Sequence, residues 1–179
     1  MADLLDRLHT AADGMTRALE AATAGKAWNA TSPCEGWSAG DVADHIIGNY
    51  VSVAGRLGSD VATTGTRLDD WRSARDAGLA AAGAEGALDG LIESPEGQIP
   101  LGRFLAVYME VDTLVHTWDI ARAVGADETL DEEICARCLQ RLFPADETMR
   151  RSASFGPKLP YSDDDPIQVK MLRFFGRPA

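Results

Sequence analysis

Apolar residues recur at helical spacing along most of the chain. The spacing predicts long helices over residues 3–24, 39–57, 68–82 and 101–124. Shorter helices are predicted over residues 131–143 and over residues 166–174. Because helical periods account for nearly all the patterned segments, the sequence predicts an all-α fold with extra short helices.

The stretches between these helices are rich in turn-forming residues. Residues 26–37 contain proline and glycine and are predicted to form a structured loop. Residues 90–100 predict either a small β-hairpin or an extended excursion before the fourth long helix, and residues 144–165 are expected to be irregular. Gly25 and Gly125 are natural ends for the first and fourth long helices.

The second long helix begins with a recognisable cap. Ser38 is a favoured N-cap residue, and Asp41, three positions later, makes a weaker version of the capping box. Trp37 precedes the cap and Val42 is the fourth helical position, so the two residues predict a hydrophobic staple. The pattern therefore predicts a structural role for Trp37.

The fourth long helix carries polar residues on two faces. At about 100° per residue, one face holds two carboxylates and an imidazole, which belong to Asp112, His116 and Asp119. The opposite face is predicted to contact solvent and holds Glu110, Thr113 and Thr117. Because polar groups in a core are costly unless they are satisfied, the first face predicts an internal hydrogen-bond network or a metal site.

Asp112 and His116 are four residues apart and share a helix face. They can chelate one divalent ion, and a nitrogen from another helix would complete a three-ligand site with an open position. The chain has three histidines, so such a nitrogen must come from His45 or His9. The periodicity of the second helix would by itself leave His45 exposed. A buried Asp–His hydrogen bond without metal is the competing interpretation, and Asp119 either orients a ligand or is structural.

The three cysteines show no strong redox or zinc motif. Cys135 and Cys138 form a CxxC pair inside a predicted helix, without a preceding strand or a second pair, so core packing is favoured. Cys34 lies in the loop before the second long helix with no basic residue adjacent, and packing is again favoured over a reactive thiol. An odd number of cysteines at uneven spacing predicts a reduced, cytoplasmic protein.

Composition narrows the class of protein. The chain has 179 residues, which predicts one domain over residues 1–179. A formal net charge of −11 and a pI of about 4.6 disfavour nucleic acid and anionic membranes as partners, because both require a basic surface. No apolar run reaches the length of a membrane span, and the acidic N-terminus is unlike a signal peptide.

Two motifs resemble a known family. Residues 31–38 (TSPCEGWS) and 41–48 (DVADHIIG) resemble the loop–helix motif of the DinB-like metalloenzymes. The closer likeness is to the branch that contains the N-terminal domain of mycothiol-dependent maleylpyruvate isomerase. Residues 112–123 (DTLVHTWDIARA) look like the second motif of that branch, and residues 172–178 (LRFFGRP) look like its usual C-terminus. The likeness spans nearly the whole chain.

The resemblance implies a DinB-type four-helix bundle that holds a divalent metal, commonly zinc or nickel, with three side chains. The family's first ligand is a histidine on the second helix, which falls on His45. The other two ligands fall on Asp112 and His116, and the isomerase branch has glutamate where this chain has Asp112. Family members are often dimers, so a homodimer is an expectation from the resemblance alone.

The expected function is transfer or isomerisation of a small electrophile with a metal and a low-molecular-weight thiol such as mycothiol. The isomerase has a second, sterol-carrier-like domain that this chain is expected to lack, which weakens the case for maleylpyruvate as the substrate. His9 and Tyr50 are further candidates for contacting the second substrate. The alternatives are a metal-dependent hydrolase that uses the same site and a non-enzymatic bundle that binds a metal or a partner.

Overall fold

The computed structural model describes residues 2–94, 97–150 and 156–179. Its helices are α1 (Ala2–Gly25), α2 (Ala39–Arg56), α3 (Arg67–Ala82), α4 (Leu101–Phe104), α5 (Glu110–Val124), α6 (Glu132–Leu142), α7 (Asp146–Arg150) and α8 (Ile167–Phe174). The strands β1 (Leu91–Ser94) and β2 (Gly97–Pro100) pair in antiparallel orientation, as one of the two predictions for this stretch required. The predicted all-α fold is confirmed.

The chain divides into two compact units. One unit ends at Glu128, and the other runs from Thr129 to Ala179. The first unit contains α1 to α5 and the hairpin, and the second contains α6 to α8. A single domain over residues 1–179 stays a prediction. Among the helices that the structure describes, none has the length and apolar character needed to span a membrane.

Four helices of the first unit form the bundle that the resemblance implied. α1 packs against α3 and α5, and α2 packs against the same two helices. Their apolar stripes meet in a core of buried side chains, which include Leu8, Met15, Leu19, Ile46, Trp71 and Ile120. Removal of this apolar surface from water is the main term that favours folding. The arrangement places α2 beside α5, and these two helices carry the candidate ligands.

Local sequence signals account for the ends of several helices. Ser38 accepts a hydrogen bond from the backbone N–H of Asp41, and the Asp41 carboxylate accepts one from the Ser38 backbone at 2.8 Å, so the predicted capping box is present. Gly125 ends α5 in the left-handed conformation, as predicted. The predicted end of α1 is one residue early, because the helix includes Gly25 and Lys26 adopts the left-handed conformation instead.

A π-helical segment, Leu105–Met109, joins α4 to α5. Such a segment holds an extra residue per turn and shifts the phase of the side chains that follow it. Glu110, Thr113 and Thr117 are buried, so the predicted solvent face of this helix is wrong. The physical reason is that neighbouring helices supply partners for these groups, and Arg7 of α1 pairs with the Glu110 carboxylate.

In the second unit, α6 packs against α8. The prediction of irregular structure over residues 144–165 is wrong for its first part, where a 3₁₀ turn (Phe143–Ala145) leads into α7. An ion pair between Asp146 and Arg150, at 2.9 Å and one turn apart, supports this short helix. Residues 151–155 of the predicted stretch lie outside the described residues.

Candidate metal centre

Three side chains with ligand atoms converge where α2 and α5 pack together. His45 lies on α2, and Asp112 and His116 lie one turn apart on α5. His45 Nε2 is 3.0 Å from Asp112 Oδ2, and His116 Nε2 is 3.3 Å from Asp112 Oδ1. One ligand atom from each residue lies within 4.8 Å of the other two. The structure therefore brings together the three residues that the resemblance pointed to.

The donor set fits a divalent cation. Atoms bonded to a tetrahedral zinc ion at about 2.0–2.1 Å are about 3.3 Å apart, and each of the two imidazole nitrogens lies at a comparable distance from one oxygen of Asp112. His116 Nδ1 is 2.9 Å from the Asp119 carboxylate, so a neutral ring donates to that carboxylate and carries its lone pair on Nε2. This lone pair then faces an oxygen of Asp112. Two lone pairs at such a distance repel one another unless a cation or a proton lies between them.

The electrostatics of the site favour positive charge beside Asp112. Burial by itself would raise the pKa of Asp112, but hydrogen bonds with His116 and His45 outweigh burial and hold this pKa below its usual range. Burial would likewise lower the pKa of His116, yet hydrogen bonds with Asp112, Asp119 and Cys34 hold it well above the usual value. A metal ion that binds here must displace the proton of His116.

The site is open to solvent on one side. The side chains of His45 and Asp112 are 34% and 32% exposed, whereas that of His116 is 11% exposed and that of Asp119 is fully buried. Two of the three candidate ligands can thus be reached by a small molecule. An accessible position beside three protein ligands is the arrangement of catalytic rather than purely structural metal sites.

Asn49 is a neighbour of the site that the sequence analysis missed. It lies on α2 one turn after His45, and its Nδ2 donates to Asp112 Oδ2 at 2.8 Å. The same nitrogen is 3.1 Å from His45 Nε2. The spacing of four residues between His45 and Asn49 places them on one helix face, and this was the signal that could have identified Asn49.

Asp119 lies behind His116, where it supports the ring from the side of Nδ1. Its Oδ2 accepts from both His116 Nδ1, at 2.9 Å, and the thiol of Cys34, at 3.2 Å. Cys34 Sγ is also 3.9 Å from His116 Nδ1. The prediction that Cys34 serves only to pack the loop is therefore incomplete, because the fold supplies the imidazole that the local sequence lacks. Cys34, His116 and Asp119 form a second group of possible metal ligands.

Trp37 lies over the candidate ligands. Its ring centroid is 5.3 Å from that of His45 and 6.3 Å from that of His116, and the residue is 37% exposed. The sequence had predicted that this indole packs on Val42 as a hydrophobic staple. The structure places the indole beside the two imidazoles, which makes Trp37 part of the site, and its packing on Val42 stays a prediction.

The remaining candidates lie elsewhere. His9 is exposed on α1. Tyr50 is buried in the core with its hydroxyl 3.2 Å from Thr113 Oγ1, so it does not reach a substrate as had been considered. Cys135 and Cys138 are buried in α6, as predicted. Burial raises the pKa of Cys135 to about 12, which is the opposite of what a reactive thiol requires.

Comparison with known proteins agrees with the motifs. Residues 8–89 match the family of the mycothiol maleylpyruvate isomerase N-terminal domain. The predicted resemblance is confirmed for these residues. The matched stretch covers the cap of α2 and includes His45, but it ends before Asp112 and His116. The grouping of the three residues therefore depends on the geometry of α2 and α5.

Curated relatives extend the likeness along the chain. The uncharacterized proteins Rv0738 and MT0763, from two strains of Mycobacterium tuberculosis, are each 29% identical to this chain over 139 residues. The alignment covers 75% of this chain and 73% of each relative. No solved structure matches the chain. The match to the isomerase domain family suggests a mycothiol-related, metal-binding DinB-like protein, and the described residues contain groups that could hold the metal.

Proposed function

We propose that this protein is a metal-dependent enzyme that uses a low-molecular-weight thiol of the mycothiol type to transfer or isomerise a small electrophile. His45, Asp112 and His116 are the proposed metal ligands. The observation that carries the proposal is the convergence of two imidazole nitrogens and one carboxylate at a solvent-accessible point between α2 and α5. The match to the mycothiol isomerase domain family supports the choice of thiol.

The chemistry follows from the donor set. A divalent cation, with zinc and nickel as the leading candidates, would supply a Lewis acid that lowers the pKa of a coordinated thiol, so that the thiol loses its proton to solvent. His45 and His116 would offer neutral nitrogen ligands, and Asp112 would offer one negative charge. Asp119 would keep His116 in the tautomer that presents Nε2 to the site. The thiol and the electrophile would approach from the exposed sides of His45 and Asp112.

The surroundings of Asp112 support its role despite its short side chain. One carboxylate oxygen lies next to His45 and the other next to His116, so aspartate reaches both partners from α5. Asn49 donates to the oxygen on the His45 side and limits the rotation of the carboxylate. We place the protein in the cytoplasm, where low-molecular-weight thiols are kept reduced.

Elemental analysis of protein purified without chelator tests the ligand set. The parent should contain about one divalent ion per chain, and His116→Ala should lose it because two ligands cannot retain the ion. His9→Ala is the matched control, since His9 is an exposed histidine of the same bundle, and this variant should keep the metal. A metal-free parent, or a His116→Ala variant that retains its metal, would show that the assignment is wrong.

A second experiment tests the reaction. The metal-loaded protein should consume small electrophiles in the presence of mycothiol, and consumption should stop when the thiol is omitted. Metal removal by a chelator should abolish turnover, and restoration of the metal should recover it. If the loaded protein turns over no electrophile with any thiol but hydrolyses esters or amides, the site is hydrolytic and the thiol proposal fails.

A further inference from the structure

The loop before α2 delivers two side chains to His116. Residues 34–37 form a β-turn, in which the backbone N–H of Trp37 donates to the carbonyl of Cys34 at 3.0 Å. Gly36 is the third residue of the turn and has a φ of +78°, which a type II turn requires and which glycine adopts at low cost. The carbonyl of Trp37 accepts from the backbone N–H of Ser32 at 3.0 Å, so the turn is fixed at its base.

Cys34 contacts the supporting side of His116. Its thiol donates to the same oxygen of Asp119 that accepts from His116 Nδ1. The Sγ atom is 3.9 Å from Nδ1, whereas the nitrogen that faces Asp112 is Nε2, on the other side of the ring. Cys34 is therefore placed to hold the Asp119 carboxylate, and it is poorly placed to reach a cation that lies between His45, Asp112 and His116.

Trp37 lies beside the two imidazoles. Its indole is nearly parallel to the ring of His116, with an interplanar angle of 16°, and it meets the ring of His45 at 62°. More than a third of the residue is exposed, although an indole of this size is usually covered in a folded domain. An apolar surface thus stands beside the open position of the site, and a molecule bound there would cover it.

We propose that the turn from Cys34 to Trp37 positions both a metal ligand and the substrate at this site. Cys34 orients His116 through Asp119, and the exposed face of Trp37 is the wall that receives the apolar part of the electrophile. The inference rests on the proposed metal function for its ligand set. The role of Cys34 and the position of Trp37 are tested by metal affinity and fluorescence, so both can fail or hold whether or not thiol-dependent turnover is found.

Titration of Co²⁺ into variants of Cys34 tests the first half. Cys34→Ala removes the donor to Asp119 and should weaken Co²⁺ binding about tenfold, the usual effect of losing a supporting hydrogen bond. Cys34→Ser retains a donor and should bind Co²⁺ within about twofold of the parent. No thiolate-to-cobalt charge-transfer absorption should appear, because Cys34 is not a ligand. Such a band in the parent, or parent-like affinity in Cys34→Ala, would overturn this half.

Tryptophan fluorescence tests whether Trp37 borders the metal. Co²⁺ absorbs light and quenches nearby indoles, so it should reduce the emission of the parent. Most of that reduction should disappear in Trp37→Phe. Trp28→Phe is the matched control, since Trp28 lies in the same loop and packs against Arg67, and it should keep the parent's quenching. Equal quenching in the parent and in Trp37→Phe would overturn the placement of Trp37.

A kinetic measurement then tests whether Trp37 contacts the apolar part of the electrophile. Trp37→Ala should raise KM for an electrophile with an apolar group by about tenfold, the size expected for loss of a large aromatic contact. For an electrophile without that group KM should change by less than about twofold, and kcat should be little changed for both. An equal rise in KM for both electrophiles would overturn the wall and leave Trp37 with a purely structural role.

Discussion

The helix α5 carries two polar faces, and they differ in how their groups are satisfied. On one face, Glu110 pairs with Arg7, and Thr113 contacts the hydroxyl of Tyr50. These groups are buried, and each donor meets an acceptor. On the other face, the carboxylate of Asp112 is partly exposed and lies between two imidazoles. Burial of a polar group is therefore a poor indicator of function here, whereas the exposure of several ligand-type side chains at one point is a good one.

The largest expected effect on stability is at Glu110, on the buried polar face of α5. Glu110→Leu removes the buried partner of the Arg7 guanidinium, which keeps its contact with the exposed carboxylate of Asp3. The change should lower the free energy of unfolding by about 3–5 kcal/mol, measured by urea denaturation. The double variant Arg7→Met with Glu110→Leu removes both charges and should recover most of this loss. If Glu110→Leu is as stable as the parent, the pair is not the structural element that its burial indicates.

The free energy of unfolding should depend on alkaline pH through Tyr50, which contacts the buried polar face of α5. Burial raises its pKa to about 12 from an ordinary value of 10.0. Because the raised pKa belongs to the folded state, the contribution to stability is complete below pH 10 and is lost as pH rises toward 12. The loss is on the order of 3 kcal/mol. Tyr50→Phe should lack this component, and the difference between the two curves of unfolding free energy against pH measures it. Parallel curves would contradict the prediction.

A smaller loss of stability is expected at the cap of α2, the helix that carries His45. Ser38→Ala removes one half of the capping box and should cost about 1 kcal/mol of unfolding free energy. His45 lies two turns further along α2, so metal affinity should change little. Calorimetry and metal titration on the same preparation would separate the two effects, and a large loss of affinity would mean that the helix start and the site are coupled.

The smallest change in stability is expected at the solvent-exposed candidate metal site. With both proteins metal-free, His45→Gln replaces a partly exposed side chain by a polar one and should alter the free energy of unfolding by less than about 0.5 kcal/mol. The same variant should lose stoichiometric metal. Stability without metal binding is the reverse of the expectation for Glu110→Leu, which should bind metal in whatever fraction remains folded. A large destabilisation by His45→Gln would contradict the division between the buried polar groups, which stabilise the fold, and the exposed candidate ligands, which bind metal.

Sequence patterns were sufficient for the elements and for part of the site. The periods of the long helices, the cap at Ser38 and the end of α5 at Gly125 depend on neighbouring residues, so local chemistry determines them. The spacing of Asp112 and His116 indicated a shared face for the same reason. His45 could be joined to them only through the family resemblance, because its own helix period pointed to solvent.

Tertiary structure decided the rest. Glu110, Thr113 and Thr117 appeared to be solvent-facing because periodicity identifies a polar stripe and does not reveal whether a neighbour such as Arg7 will satisfy it. The chain alone indicated that α5 holds ligand-type residues at chelating distance. Whether those residues form a site depended on the helix that packs beside them and on the loop that precedes it. The places of Cys34, Trp37 and Asn49 followed from that packing, since contacts between residues distant in sequence are set by the whole fold.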